Sequence, residues 1–141
     1  EDEKSYRSVT VSWFENSLML DMLKILASKK IPVFITTDHG SIKIEKPIKV
    51  VGERDMNTNL RYKTGRNMNY NEKEVFRIKD PNDAYLPKGS ITSEFIFALG
   101  NTFFAYPNNY NYYANYYKNT FQHGGISMEE ILVPSIKLIP K

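Results

Sequence analysis

The sequence contains no cysteine and only two histidines, His39 and His123. The absence of cysteine excludes disulfide bonds and thiolate zinc sites, so any metal ligands must be carboxylates, imidazoles, hydroxyls or water. No apolar run is long enough to span a membrane, and no signal peptide is recognisable. We therefore expect a cytoplasmic location without membrane insertion, and the two histidines are the first candidates for metal binding.

The excess of one sign of charge is also small. The 141 residues carry a formal net charge of +3, which permits anionic partners but is too weak to indicate nucleic-acid binding. The composition, 41% hydrophobic and 25% charged, is that of an ordinary globular protein. The length predicts one domain or a part of one, long enough to bury a core.

Both histidines lie in short polar stretches next to apolar segments. Asp38 and His39 closely follow a predicted strand, Ile31–Ile35, and His123 lies in the stretch Phe121–Ser127. In open α/β sheets, ligands bind at the carboxyl ends of the strands. Carboxylate and imidazole groups are suitable ligands for zinc or manganese. The pattern allows a metal site; the alternatives are a surface turn and a histidine that caps a helix or packs in the core.

The order of predicted elements is typical of an α/β fold. Apolar residues at helical spacing predict a helix over Leu18–Ser28, and the strand Ile31–Ile35 follows it, as in a parallel sheet. The β-branched and aromatic run Val9–Phe14 predicts another strand. Ile91–Leu99 and Thr102–Tyr106, separated by a Gly-Asn pair, predict a hairpin. Further strands are predicted at Ile42–Ile44, Ile48–Gly52, Leu60–Lys63, Val75–Ile78 and Val133–Ile139.

The run Tyr106–Tyr117 is unusually rich in tyrosine and asparagine. Tyr110, Tyr113 and Tyr117 recur at helical spacing, which favours an amphipathic helix packed on a sheet. The alternative is a stacking platform for the bases of a single-stranded nucleic acid. Such platforms usually contain interleaved basic residues, and only Lys118 is close, so the helix is the preferred interpretation.

The residues after His123 predict the start of a short helix. Ser127 and Glu130 have the spacing of a capping box. Glu129 and Glu130 are therefore interpreted as charges at a helix start rather than as general acid–base residues.

Three basic residues, Arg61, Lys63 and Arg66, are candidates for binding the phosphate of a substrate. An arginine side chain offers a planar fork of donors that matches two phosphate oxygens. The alternative interpretation is a solvated basic hairpin without a ligand.

Two stretches together resemble the PglZ domain of the alkaline phosphatase superfamily. They are Thr37–Gly40 and His123–Pro134, and the order His-Gly-Gly-Ile-Ser-x-Glu-Glu-x-x-Val-Pro in the second is the more specific. The resemblance extends from about Val9 to Lys141. Asn57–Lys63 and the tyrosine run are similar in particular to members that are response regulators linked to type IX secretion in Bacteroidetes.

The resemblance implies an α/β fold with an alkaline-phosphatase-like core, in which helices flank a mostly parallel central sheet, here with added β-hairpins. It implies two Zn²⁺ ions, one bound by Asp38 and His39 and the other by His123. The implied activity is that of a phosphodiesterase or phosphatase acting on nucleotide or oligonucleotide phosphodiesters. The implied setting is a two-component signalling protein with regulatory protein partners.

The sequence also departs from the pattern of that family. The residues before Asp38 include no histidine and no βα unit that could present a nucleophilic threonine or serine. We therefore expect residues 1–141 to be the carboxyl-terminal part of the domain, inactive alone, with a receiver domain and the first half of the core upstream. Exposed sheet edges would then favour a dimer. The alternative functions are a non-enzymatic interaction module and a single-strand nucleic-acid binder.

Overall fold

The chain divides into two compact units. The computed structural model of the protein describes residues 2–53, 56–90 and 92–141. One unit comprises Glu1–Asp38 and Val133–Lys141, and the other comprises His39–Leu132. Within the described ranges, no helix is both long and apolar enough to cross a membrane. Each unit is described separately below.

The first unit begins with a helix where a strand was predicted. Helix α1 spans Glu3–Glu15 and includes the whole run Val9–Phe14, so the strand prediction is wrong. Asp2 caps the helix, because its Oδ1 atom accepts a hydrogen bond from the Ser5 backbone N–H at 2.7 Å. The β-branched residues in this run indicate a strand only where a partner strand is available, since β-propensity depends on context.

The rest of the first unit is a second helix and a two-stranded ribbon. Helix α2 spans Leu18–Ser28, as predicted. Strand β1 (Val33–Thr36) pairs antiparallel with the last strand, β9 (Ser135–Leu138), in the register Val33↔Leu138 to Thr36↔Ser135. The parallel arrangement expected for β1 is therefore wrong for the strand pair that the structure describes.

The second unit is built from short strands in three small sheets. Its strands are β2 (Ile42–Lys43), β3 (Lys46–Lys49), β4 (Tyr62–Gly65), β5 (Val75–Ile78), β6 (Glu94–Ala98), β7 (Thr102–Ala105) and β8 (Phe121–Gln122). Strands β2 and β8 pair antiparallel, β3 and β7 pair parallel, and β6 lies between β4 and β5 with both neighbours antiparallel. Among the described strands only β3–β7 is parallel, so the expected mostly parallel central sheet is not found.

Helical elements connect these strands. Helix α3 spans Tyr110–Tyr117, in agreement with the predicted amphipathic helix, and α4 spans Met128–Ile131 after the predicted cap. Two 3₁₀ turns, Glu72–Glu74 and Pro81–Ala84, flank β5.

The predicted hairpin of β6 and β7 is wrong, although both strands exist and Gly100 forms the turn between them with a φ of 50°. The two strands pair with different neighbours, β6 with β4 and β5, and β7 with β3. The segment before β4 reaches both of them, because the Leu60 carbonyl accepts from the Phe104 N–H at 2.8 Å and the Arg61 carbonyl accepts from the Ala98 N–H at 2.9 Å. Ile91, included in the predicted strand, lies outside the described residues.

Strand β7 contributes to two hydrophobic clusters. Its side chains alternate, so Phe104 packs with Ile48 and Ile96 in one cluster, whereas Phe103 packs with Ile44 in the other. Tyr110 and Tyr117 of α3 pack against the second cluster. The parallel β3–β7 pair therefore forms the centre of this unit's core.

We predict that Phe103→Ala lowers the free energy of unfolding by about 3–5 kcal/mol, because Phe103 is fully buried and its removal leaves a cavity. Tyr112→Ala on the exposed face of α3 serves as the control and should change stability by less than about 1 kcal/mol. Urea denaturation of both variants measures the difference, and equal effects would contradict the assignment of this core.

Candidate functional site

The two histidines lie together in the second unit. The ring centroids of His39 and His123 are 3.8 Å apart and the ring planes differ by 9°, so the imidazoles are stacked. The pairing of β2 with β8 explains the contact, because Ile42 lies opposite Gln122 and the chain before β2 therefore runs alongside the chain after β8. Both side chains are exposed. The two stretches identified in the sequence thus meet in space.

A backbone contact fixes the tautomer of His39. Its Nδ1 atom lies 2.9 Å from the carbonyl oxygen of Gly40. A carbonyl oxygen can only accept, so Nδ1 is the donor in this contact, and Nε2 is the ring nitrogen that could bind a metal. Metal-binding histidines usually donate their second ring N–H in this way.

One residue of α4, Glu130, holds both histidine loops. Its carboxylate accepts hydrogen bonds from the backbone N–H groups of Gly125 at 2.9 Å and Ser127 at 3.1 Å, just after His123. Its own carbonyl oxygen accepts from the N–H of Gly40 at 2.8 Å, directly after His39. The positions of both imidazoles therefore depend on where Glu130 is placed.

Glu130 is placed by a buried ion pair with Arg61. The guanidinium binds the carboxylate through two parallel contacts, Nε to Oε1 at 2.9 Å and Nη2 to Oε2 at 2.8 Å. The exposed fractions of the two residues are 0% and 3%. The Arg61 Nη1 group also donates to the Thr102 carbonyl. A bidentate pair of this kind fixes orientation as well as distance.

Hydrogen bonding keeps Glu130 ionised. Burial alone would raise the pKa of the Glu130 carboxyl, but the hydrogen bonds from Arg61, Ser127 and Gly125 outweigh burial, and the net pKa is lowered. A carboxylate that stays ionised and accepts four hydrogen bonds from three residues is an anchor rather than a proton-transfer group. Glu130 is the third residue of α4 and the glutamate of its capping box, which confirms its interpretation as a helix-start residue.

Two glycines permit the close packing of these loops. A Cβ atom on Gly40 would lie 2.0 Å from the backbone oxygen of Glu129, which is sterically impossible. Gly124 has a φ of +102°, and a Cβ there would lie 2.8 Å from the Asn59 amide nitrogen. The glycine that follows each histidine is therefore required by the approach of a neighbouring segment.

The third expected metal ligand, Asp38, is the last residue of the first unit. Its side chain is exposed, and its Oδ1 atom accepts a hydrogen bond from the Thr37 hydroxyl at 3.3 Å. In the part of the chain that the structure describes, no group of three or more His, Asp or Glu residues is arranged to hold one ion. Metal binding by Asp38, His39 and His123 stays a prediction.

The three candidate phosphate ligands have different surroundings. Arg61 is buried and its described contacts are all internal. Lys63 is also buried and donates to the Asn57 carbonyl at 2.7 Å, and burial lowers the pKa of its ammonium to about 8. Arg66 is exposed and lies 3.2 Å from the Glu53 carboxylate. Phosphate binding by these residues stays a prediction, and only Arg66 matches the solvated alternative.

Sequence reasoning missed the link between Arg61 and Glu130. The two residues are 69 positions apart, and no spacing rule connects them. It also missed Asn59, whose side-chain oxygen accepts from the Arg61 N–H at 2.7 Å and whose amide contacts the His123 carbonyl at 3.4 Å. The glycines beside the histidines were the only sequence signal that another segment approaches there.

We predict that Glu130→Gln lowers the free energy of unfolding by about 3 kcal/mol, because it leaves the buried Arg61 charge uncompensated. Glu129→Gln on the same helix is the matched control, since that side chain is exposed and should have little effect. Denaturant unfolding at pH 7 measures both. Equal stability of the two variants would contradict the role of the ion pair.

The same ion pair predicts an acid dependence. The folded pKa of Glu130 is lowered, so its contribution to stability is complete above the unfolded value of about 4.5 and is lost as the pH falls through the folded value. The stability difference between the wild type and Glu130→Gln should therefore shrink as the pH is lowered from 6 to 3. A difference that stays constant over this range would contradict the lowered pKa.

Comparison with known proteins identifies the family. The sequence model of the BREX system PglZ alkaline phosphatase-like domain matches residues 5–138. A search of the curated proteins finds no match. The match confirms, at the level of the family, the resemblance carried by the two histidine stretches. The chain belongs to the family of PglZ alkaline phosphatase-like domains.

Proposed function

We propose that this chain is part of a zinc-dependent phosphoesterase domain in which His39 and His123 each bind one of two Zn²⁺ ions. Asp38 would bind the same ion as His39, its neighbour in sequence. The observation that carries the proposal is the stacked pair of imidazoles, with a centroid separation of 3.8 Å. It brings together two imidazole side chains from distant parts of the sequence.

The geometry of the pair favours one ion for each ring. An imidazole nitrogen binds a metal in the plane of its ring, and the planes of the two rings are nearly parallel. Two nearly parallel planes do not converge on a common point, so two separate ion positions are favoured over one shared position. Two-metal sites that transfer phosphoryl groups hold their ions about 3.5–4 Å apart, which matches the spacing of these rings.

The donor groups are suited to zinc. The Gly40 carbonyl selects the tautomer of His39 that offers Nε2 as a ligand, and both rings are exposed. Bound zinc would supply activation of a hydroxyl nucleophile and stabilisation of the leaving oxygen. The protein's own part is to hold the imidazoles at a fixed separation, which Glu130 achieves through both loops.

The proposed substrates are nucleotide or oligonucleotide phosphodiesters. The proposed setting is a response regulator similar to PorX of type IX secretion, supported by the similarity of Asn57–Lys63 and Tyr106–Tyr117 to that protein. The nucleophile and a receiver domain would lie upstream, so turnover would belong to the longer protein. Several apolar side chains on the first unit are exposed, including Leu18, Phe34 and Ile139. Their exposure supports the proposal that other parts of the longer protein, or a partner protein, pack against this unit.

We predict that zinc titration by calorimetry detects binding to the wild-type chain and that His39→Ala and His123→Ala each weaken it by at least about tenfold. Asp38→Ala should weaken binding as well. Asp83→Ala, which removes an exposed carboxylate elsewhere, is the matched control and should leave the affinity unchanged. Thermal melts of the metal-free variants show whether each one is folded.

Zinc binding that survives both histidine replacements in folded protein would contradict the proposed centre. In that case the alternative function, a non-enzymatic interaction module, would be favoured over a zinc-dependent phosphoesterase. Loss of binding in one histidine variant only would support a single-ion site and would contradict the assignment of one ion to each ring.

A further inference from the structure

A cavity of about 410 Å³ opens within the second unit, and it does not include the histidine pair. Its volume falls in the range of about 300–1,000 Å³ that is usual for small-molecule sites. Most of its wall is apolar or aromatic. The lining residues that matter here are Leu60, Lys63, Phe104, Tyr106, Tyr113 and Tyr117.

The cavity contains a buried cation for which the described residues supply no carboxylate partner. Lys63 is 5% exposed, and its ammonium donates one hydrogen bond, to the Asn57 carbonyl at 2.7 Å. Among the described residues, no carboxylate forms an ion pair with it. An ammonium has three donors, and a buried charge is normally balanced by an opposite charge. Burial lowers the pKa of Lys63 to about 8, so the group is still mostly protonated at pH 7.

The carboxylate that also lines the cavity already has partners. Glu53 accepts from the Arg66 guanidinium at 3.2 Å and from the Asn67 amide at 2.9 Å. Its charge is therefore balanced outside the cavity. The other titratable side chains in the described lining are the three tyrosines, so no described residue of the lining balances the charge of Lys63.

The tyrosines provide flat walls. Tyr113 and Tyr117 are one turn apart on α3, and their rings are nearly parallel, with centroids 6.2 Å apart and an interplanar angle of 15°. Tyr106, which precedes the helix, contributes a third ring and is 40% exposed. Aromatic faces of this kind pack well against the planar ring of a ligand.

We propose that this cavity binds a small aromatic anion, whose carboxylate or phosphate group contacts the Lys63 ammonium and whose planar ring packs against Tyr106, Tyr113 and Tyr117. The anion supplies a negative charge that balances the positive charge of the Lys63 ammonium. The ring replaces water on apolar walls. The proposal uses none of the candidate metal ligands and stands independently of zinc binding.

The first experiment compares ligands that carry one or both of these features. Calorimetric titration at pH 7 in EDTA uses adenosine 5′-monophosphate, which has both, adenosine, which has only the ring, and ribose 5-phosphate, which has only the anion. Indole-3-acetate tests whether an aromatic carboxylate binds better than a phosphate. We expect saturable binding of at least one of the two aromatic anions, and affinities at least about tenfold lower for adenosine and ribose 5-phosphate.

Variants identify the residues. Lys63→Met should weaken binding of the aromatic anion by about tenfold or more without changing the affinity for adenosine, and Tyr113→Leu should weaken both. Lys63→Arg should retain binding, because it keeps the charge. Lys73→Met removes an exposed lysine away from the cavity and should have no effect. Affinity should fall between pH 7 and 9.5, as Lys63 loses its proton.

A measurement on the wild-type protein keeps the proposal testable if Lys63→Met does not fold. Acetylation of lysines followed by mass spectrometry should show that the bound anion protects Lys63 but leaves Lys73 reactive. The proposal is overturned if neither aromatic anion binds at millimolar concentration, or if ribose 5-phosphate binds as tightly as the aromatic anions. Binding that is unaffected by Lys63→Met, or that leaves Lys63 unprotected, would overturn it equally.

Discussion

The buried ion pair between Arg61 and Glu130 is the constraint on which the candidate site depends. Two charges removed from water are tolerated only if each finds its partner with good geometry, and here both do. The remaining acceptor capacity of Glu130 then organises the loop after His123, and its backbone carbonyl organises the loop after His39. The stacking of the two imidazoles is a consequence of this arrangement rather than its cause.

Two buried cations lie two residues apart, Arg61 just before β4 and Lys63 within it, and they differ in their charge partners. Arg61 is neutralised within the protein, and its carboxylate partner is a structural anchor. Lys63 has no carboxylate partner among the described residues, and burial lowers the pKa of its ammonium to about 8. A buried charge that is balanced stabilises one arrangement of the chain, whereas a buried charge that is not balanced provides free energy for binding an anion. The contrast explains why we assign structure to one residue and ligand binding to the other.

Local sequence patterns predicted local structure well and long-range pairing poorly. The apolar period of α2, the cap of α4 and the tyrosine spacing of α3 are encoded within a few turns of chain, and all three helices were predicted. The partners of β1 and β7 depend on segments far away in sequence, so the parallel sheet and the hairpin were wrong. The histidine stretches could be paired only through a family resemblance. The partner of Arg61 left no signal in the sequence at all.

The segment Asn57–Lys63 connects the two sites through its own chemistry. Asn57 and Asn59 are typical turn residues, because their side chains bind nearby backbone groups: the Asn57 oxygen accepts from the Thr64 N–H at 3.2 Å, and the Asn59 oxygen accepts from the Arg61 N–H at 2.7 Å. These bonds hold a short stretch that has no regular secondary structure before β4. Four residues of the stretch line the cavity, Asn57, Thr58, Leu60 and Lys63, while Asn59 contacts the carbonyl of His123. The cavity and the loop that carries His123 therefore contact the same segment.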